Sequence, residues 1–212
     1  MESTPPKQSK IIKNVQDWLS LGYLYLLLLG IGKDAIFYSF FDINILNYAS
    51  LLDVVLSPIT LLIERKVILI LIITIIIVLA LFPFTHRKLR EKTWYKKRFD
   101  VDKLDKRYIN TPLVNQIAPI LALALFSAYI GYGVGSGEKV SSIIASGDFE
   151  LRHEISFSDG TNQKVRIVGQ NSQYLFYALE GDTEISISPI LSNIKKIEKL
   201  AKPQKKTSKS KD

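Results

Sequence analysis

The chain has 212 residues, 47% of them hydrophobic, with 28 Lys and Arg against 20 Asp and Glu, a formal charge of +8. It has no cysteine, which excludes disulfides and thiolate chemistry. The average hides two solvents: residues 18 to 41, 67 to 85 and 113 to 134 are nearly continuous apolar runs, and charge collects between and after them.

Residues 1–17 form a polar tail containing Pro5, Pro6 and several lysines, a composition that predicts no packed structure at its start. A first span over about 18–41 comes next, with Trp18 at one interface and Phe37, Tyr38, Phe40 and Phe41 near the other. Lys33 and Asp34 interrupt it close to its outer end, where snorkelling tolerates them. A basic stretch before an apolar run is also the pattern of a signal peptide. Without a small-x-small cleavage site, the segment is expected to be an uncleaved anchor.

The next segment, "DINILNYASLLDVVLSPITLLIERK", is amphipathic on a helix. Asn47, Ser50, Asp53 and Ser57 fall on one face, opposite Ile45, Leu52, Val55 and Leu56, until Pro58 breaks the pattern. This predicts an interfacial or re-entrant helix over 43–58. The alternative is a true crossing in which Asn47 and Asp53 make an intramembrane polar site.

"KVILILIITIIIVLALFPF" is apolar on every face and predicts the second span, 67–85. The loop 86–110 then carries ten Lys and Arg, which places it in the cytoplasm and gives it anionic lipid as a partner. Nucleic-acid binding is the sharper reading of the same charges, but a membrane flank already explains them. A third span over 112–134 runs into the glycine ladder of "YIGYGVGSGEK". That run resembles a potassium filter only superficially, because it has no preceding Thr and no span comes after it. Gly131 with Gly135, and Gly133 with Gly137, have the small-xxx-small spacing of a helix-packing face; Gly131 and Gly135 are the expected packing pair and suggest a homo-oligomer or a protein partner. The later glycines are expected to uncouple the helix from the C-terminal domain.

Residues 149–190 change to period two, within a small β domain expected over 137–198. "FELRHEISF", "KVRIVG", "QYLFYAL" and "TEISISPI" read as strands, "SDGTNQ" as a turn, and "LSNIKKIEKL" as a short helix or last strand. The expected fold class is therefore α-helical membrane protein, with three spans plus the amphipathic helix, carrying a C-terminal small all-β barrel-like domain. Tyr174, Phe176 and Tyr177 lie on both faces of one strand, so at least one is expected to contact a partner. Residues 199–212 are a polybasic tail. His86 and His153 stand apart from carboxylate clusters, and no nucleophile elbow, phosphate loop or dinucleotide motif occurs. No enzyme, metal or cofactor is expected.

"YSFFDINILNYASLLDVVLSPI" and "VRIVGQNSQYLFYALEGDTEISISPI" together resemble a family of small bacterial integral membrane proteins. In that family an Asn-Ile-x-x-Tyr segment precedes a second span, and a small β domain ends in an Ile-x-Pro-Ile strand. The resemblance covers about half the chain and implies a multi-pass protein of the bacterial inner membrane, with no activity attached. Asp42 departs from the pattern, standing where Gly or Asn is expected. The charge pattern places the β domain outside the cytoplasm, where it would sense or hold a partner. The rival reading is a channel or transporter subunit in which the Asp53 segment lines a path.

Overall fold

The computed structural model describes residues 8–102, 104 and 113–200. The start of the polar tail, the end of the basic loop and the polybasic tail beyond residue 200 lie outside the described residues. The chain divides into two compact units, Met1–Gly32 with Val55–Tyr132, and Lys33–Val54 with Gly133–Asp212.

Three of the described helices are long and apolar enough to cross a membrane: Val15–Ser39, Lys66–Leu89 and Ala118–Ala145. They belong to α1 (Gln8–Ser39), α3 (Lys66–Leu89) and α5 (Leu113–Ala145). Between the first two, α2 (Leu51–Glu64) has 14 residues. At 1.5 Å per residue it is about 21 Å long, short of the roughly 30 Å of a hydrocarbon core. It begins eight residues later than the helix expected at 43 and continues through Pro58.

In the first unit Leu29, Leu61 and Tyr129 form a buried cluster contributed by α1, α2 and α5. Two tyrosines fix it by donating across helices, Tyr129 to the Pro58 carbonyl at 2.8 Å and Tyr25 to the Ala122 carbonyl at 2.6 Å. Along α3, by contrast, Ile70, Val78 and Phe84 are more than half exposed. Apolar exposure of that density belongs in lipid. Thr74, its mid-span polar side chain, donates back to the Ile70 carbonyl, so it asks nothing of its surroundings.

The second unit contains the sheet. Strands β1 (His153–Phe157), β2 (Asn162–Gln170), β3 (Tyr174–Leu179), β4 (Ser186–Pro189) and β5 (Ile194–Lys199) are all antiparallel to their neighbours in the order β4-β3-β2-β1-β5. A helical turn, α6 (Ile190–Asn193), carries the chain from one edge of the sheet to the other. The segment "LSNIKKIEKL" is thus both of the things expected of it, a helical turn and then a strand.

The expected barrel is not closed. No ladder joins β4 to β5 among the described residues, so the sheet is open. The reason is local. β4 has only four residues and ends at Pro189, which has no N–H for a further rung. Register shifts at Ser156/Phe157 and Ile167/Gly169 bend the sheet over its own core without closing it. That core is Ile155, Phe157, Val165, Leu175 and Tyr177, with Ile190 and Ile194 packed against it.

The third span also differs from expectation. α5 runs unbroken through the glycine ladder to Ala145 and stops before Gly147, whose φ of +67° suits a residue without Cβ. The glycines therefore do not interrupt the helix.

Candidate functional site

In the second unit, the segment from Lys33 to Val54 covers the face of the sheet that is turned away from its core. It begins with the last turn of α1. The Asp42 amide donates to the Ser39 carbonyl and the Ile43 amide to the Tyr38 carbonyl, at 3.2 Å each, which is the paired bonding of a Schellman stop. Asp42 occupies the left-handed position of that motif at φ 56°, alone among the described non-glycine residues. Gly or Asn fits such a position best.

The chain then lays Tyr38, Ile45 and Tyr48 on the sheet. Tyr38, Ile45 and Phe176 form a buried cluster, with Tyr48, Tyr174, Val168 and Ile187 packed around it. The Phe176 ring lies 4.7 Å from that of Tyr38 and 5.9 Å from that of Tyr48, while Tyr174 meets Tyr48 edge-on at 5.2 Å. Such tilted and edge-on pairs match the ring quadrupole. The Tyr38 hydroxyl abuts Gly169, leaving no room for a Cβ there.

A polar clasp closes the far end of this segment. Ser50 stands before α2 and Asp53 lies three residues later. The Ser50 amide donates to Asp53 Oδ2 at 3.0 Å and the Asp53 amide donates to Ser50 Oγ at 3.2 Å. This reciprocal pair is a capping box, with Asp in the place more often taken by Glu. The same carboxylate also accepts from the Ser172 amide at 3.0 Å and the Ser172 hydroxyl at 2.8 Å, in the β2–β3 turn. Beside it, Asn171 donates to the Tyr48 carbonyl at 3.1 Å while its Oδ1 accepts from the amides of Gln173 and Tyr174. One side chain thus shapes the hairpin turn and ties it to the segment.

Burial raises the Asp53 pKa, but the hydrogen bonds from Ser50 and Ser172 outweigh it and hold the carboxyl below its ordinary value of 3.8. The ionised form is bonded in this way only in the folded chain. Its contribution is therefore full above pH 3.8 and is lost as the pH falls through the lower folded value. Asp53→Ala is expected to cost about 1–2 kcal/mol, the usual loss for a helix cap. Urea unfolding in micelles should also find that the variant loses less stability than the parent as the pH falls, the remaining loss including that of Asp159, which its bonds from Thr161 also hold below 3.8. Equal acid sensitivity in parent and variant would contradict the assignment.

The residues singled out in the sequence have these places. Asp53 is the centre of the clasp, and Asn47 is exposed in the 3-10 turn Ile45–Asn47. Phe176 is fully buried under Tyr38, Tyr174 is half-buried against Tyr48, and Tyr177 lies in the core on the opposite face. All three therefore contact the chain itself. A partner lost on their replacement would report fold damage as readily as a broken contact. In α5 a Cβ at Gly131 or at Gly135 would meet nothing within 4 Å. The close approach is made instead by Gly133, where a Cβ would stand 2.8 Å from the Lys33 carbonyl oxygen, and by Gly137 against Phe40.

The clasp itself was readable: Ser-x-x-Asp before an apolar run is a capping-box signature. Its second partner, 119 residues away, was not. His153 edges the sheet core with its Nδ1 buried and unbonded, and burial, with Lys199 and Arg152 nearby, keeps its pKa below the usual histidine range. Among the described residues no group of His, Cys, Asp and Glu could hold a metal. No protein family, curated protein or solved structure matches the chain.

Proposed function

We propose that the chain is a non-enzymatic, multi-pass protein of the bacterial inner membrane, of the small membrane-protein family it resembles. In this reading its β domain lies outside the cytoplasm and senses or docks a protein partner. The observation that carries the proposal is the way the sheet is mounted. In one compact unit Phe176 packs on Tyr38 at the end of α1, Ser172 bonds Asp53 at the start of α2, and Ser141 of α5 donates to the Phe40 carbonyl at 3.2 Å. A domain held only by a flexible linker would report nothing to its helices. One packed on the end of a candidate span, α1, and on the start of α2 passes any displacement of the sheet to them. The channel reading is the weaker, because the Asp53 carboxylate spends its acceptor capacity on four hydrogen bonds within the chain. A second copy packing on the open Gly131 and Gly135 face belongs to the same proposal.

Leu191, 93% exposed on α6, is the position from which to test this. The chain lacks native cysteine, so Leu191→Cys and Thr93→Cys can be labelled singly in intact cells with a membrane-impermeant maleimide. The expected result is labelling at 191 and none at 93. A photo-crosslinker at 191 should then give one discrete adduct. Labelling at 93 alone would overturn the placement of the domain. A solute flux abolished by Asp53→Asn in an otherwise assembled protein would replace this reading by the channel.

A further inference from the structure

Beyond the β domain, the first unit carries a second feature that the proposed function does not use. The helix α4 (Thr93–Arg98) comes after α3 and a three-residue turn and is pinned back on it: the Tyr95 hydroxyl and His86 Nδ1 share a hydrogen bond of 3.0 Å, both residues are buried, and His86 stacks on Phe82. The basic stretch from His86 to Arg98 therefore has a fixed shape at the end of a candidate span. Burying Tyr95 turns its neighbours outward. Trp94 is 59% exposed, a large aromatic left in the open beside Lys92, Lys97 and Arg98, all exposed.

The charges are sorted as well. Between residues 87 and 102 there are seven Lys and Arg against three acids. All three acids, Glu91, Asp100 and Asp102, line one open groove together with Arg90 and Lys96, so that side is close to neutral. Lys97 and Arg98 lie outside the groove, three and four residues after Trp94, and so share the helix face of the indole. An exposed indole beside two cations, at the end of an apolar helix, matches the boundary between acyl chains and phosphates.

We propose that the Trp94–Lys97–Arg98 face of α4 is a docking surface for anionic phospholipid headgroups of the leaflet at the His86 end of α3. The indole enters the interface, and Lys97 and Arg98 donate to lipid phosphates. Charge complementarity selects the occupant, and continuity with α3 supplies the membrane. A zwitterionic leaflet offers the indole the same depth but gives the cations no net attraction. Each cation close to an anionic surface changes occupancy by about fivefold.

The test uses the full chain carrying Trp18→Phe, which leaves Trp94 as its one tryptophan. It is reconstituted in vesicles of phosphatidylcholine alone and of phosphatidylcholine with one-third phosphatidylglycerol. Quenching of Trp94 by neutral acrylamide is expected to fall about threefold or more in the anionic vesicles, and concentrated salt should cancel the difference. Lys97→Gln with Arg98→Gln should return quenching to its value in the neutral vesicles, whereas Lys97→Arg should keep the protection. Equal quenching in both vesicles, or protection unchanged by the double substitution, overturns the proposal. Stronger protection by a short DNA duplex than by anionic vesicles also overturns it, in favour of nucleic acid.

Discussion

Phe176→Ala will destabilise the second unit by about 3–5 kcal/mol, the range for deleting a fully buried aromatic ring. Nothing small can fill the space, because the ring is walled by Tyr38, Tyr48 and Val168, each fixed by its own neighbours. The location of the damage distinguishes this loss from a general one. Hydrogen exchange in micelles should accelerate in β3 and also at the amides of Ile43, Tyr48 and Ala49, which belong to the segment laid over the sheet. Tyr177→Ala supplies the contrast. Its ring lies in the opposite core with Phe157, so exchange should accelerate in β1 and β2 while the covering segment is disturbed less. If Phe176→Ala costs under about 1 kcal/mol, or leaves the covering segment unchanged, the aromatic packing does not hold the domain in place.

The second large effect belongs to the glycine ladder, and it separates residues of one helix by two positions. At Gly133 a Cβ would press on the backbone of α1, 2.8 Å from the Lys33 carbonyl oxygen and 3.4 Å from its Cα. Backbone cannot swing aside as a side-chain tip can. Gly133→Ala should therefore lose about 1–3 kcal/mol to overpacking, even though alanine is the better helix former, and Gly133→Leu should lose more. Gly131→Ala and Gly135→Ala meet open space, and each should gain up to about 1 kcal/mol from helix propensity. Thermal unfolding in micelles, tracked by tryptophan emission, would show the two signs. Parent-like stability of Gly133→Ala would mean that α1 and α5 do not approach so closely. With stability known, Gly131→Leu and Gly135→Leu become a clean probe of oligomerisation, since any dissociation they cause cannot be blamed on the fold of one copy.

Much of the architecture can be read along the chain. The three apolar runs became the three long helices because helix length and hydropathy are properties of consecutive residues. The strands arose from period-two alternation. On β3, Leu175 and Tyr177 point to one core, while Tyr174 and Phe176 point to the other, as the alternation requires. The turn at Asp159 and Gly160 was equally local: Asp159 Oδ1 accepts from the Thr161 amide and hydroxyl, and Gly160 takes a φ of +89°.

The tertiary structure decided which residues meet. Whether the sheet closes depends on how two edges lie in space, and alternation has no information about that. Of the four ladder glycines, spacing offered two pairs of equal merit, Gly131 with Gly135 and Gly133 with Gly137. The rotation of α5 against the end of α1 chose the second pair, because only that face comes within reach of the Lys33 backbone and the Phe40 ring. For Asp53, the bond to Ser50 is local to the helix start, whereas its other partner, Ser172, lies in a hairpin turn 119 residues away. Sequence by itself determined the number of long apolar helices and the period of the strands, since those arise from neighbours in the chain. The clasp, the covered aromatic face and the open edge of the sheet are long-range contacts, and these exist only once the folded chain has brought its distant parts together.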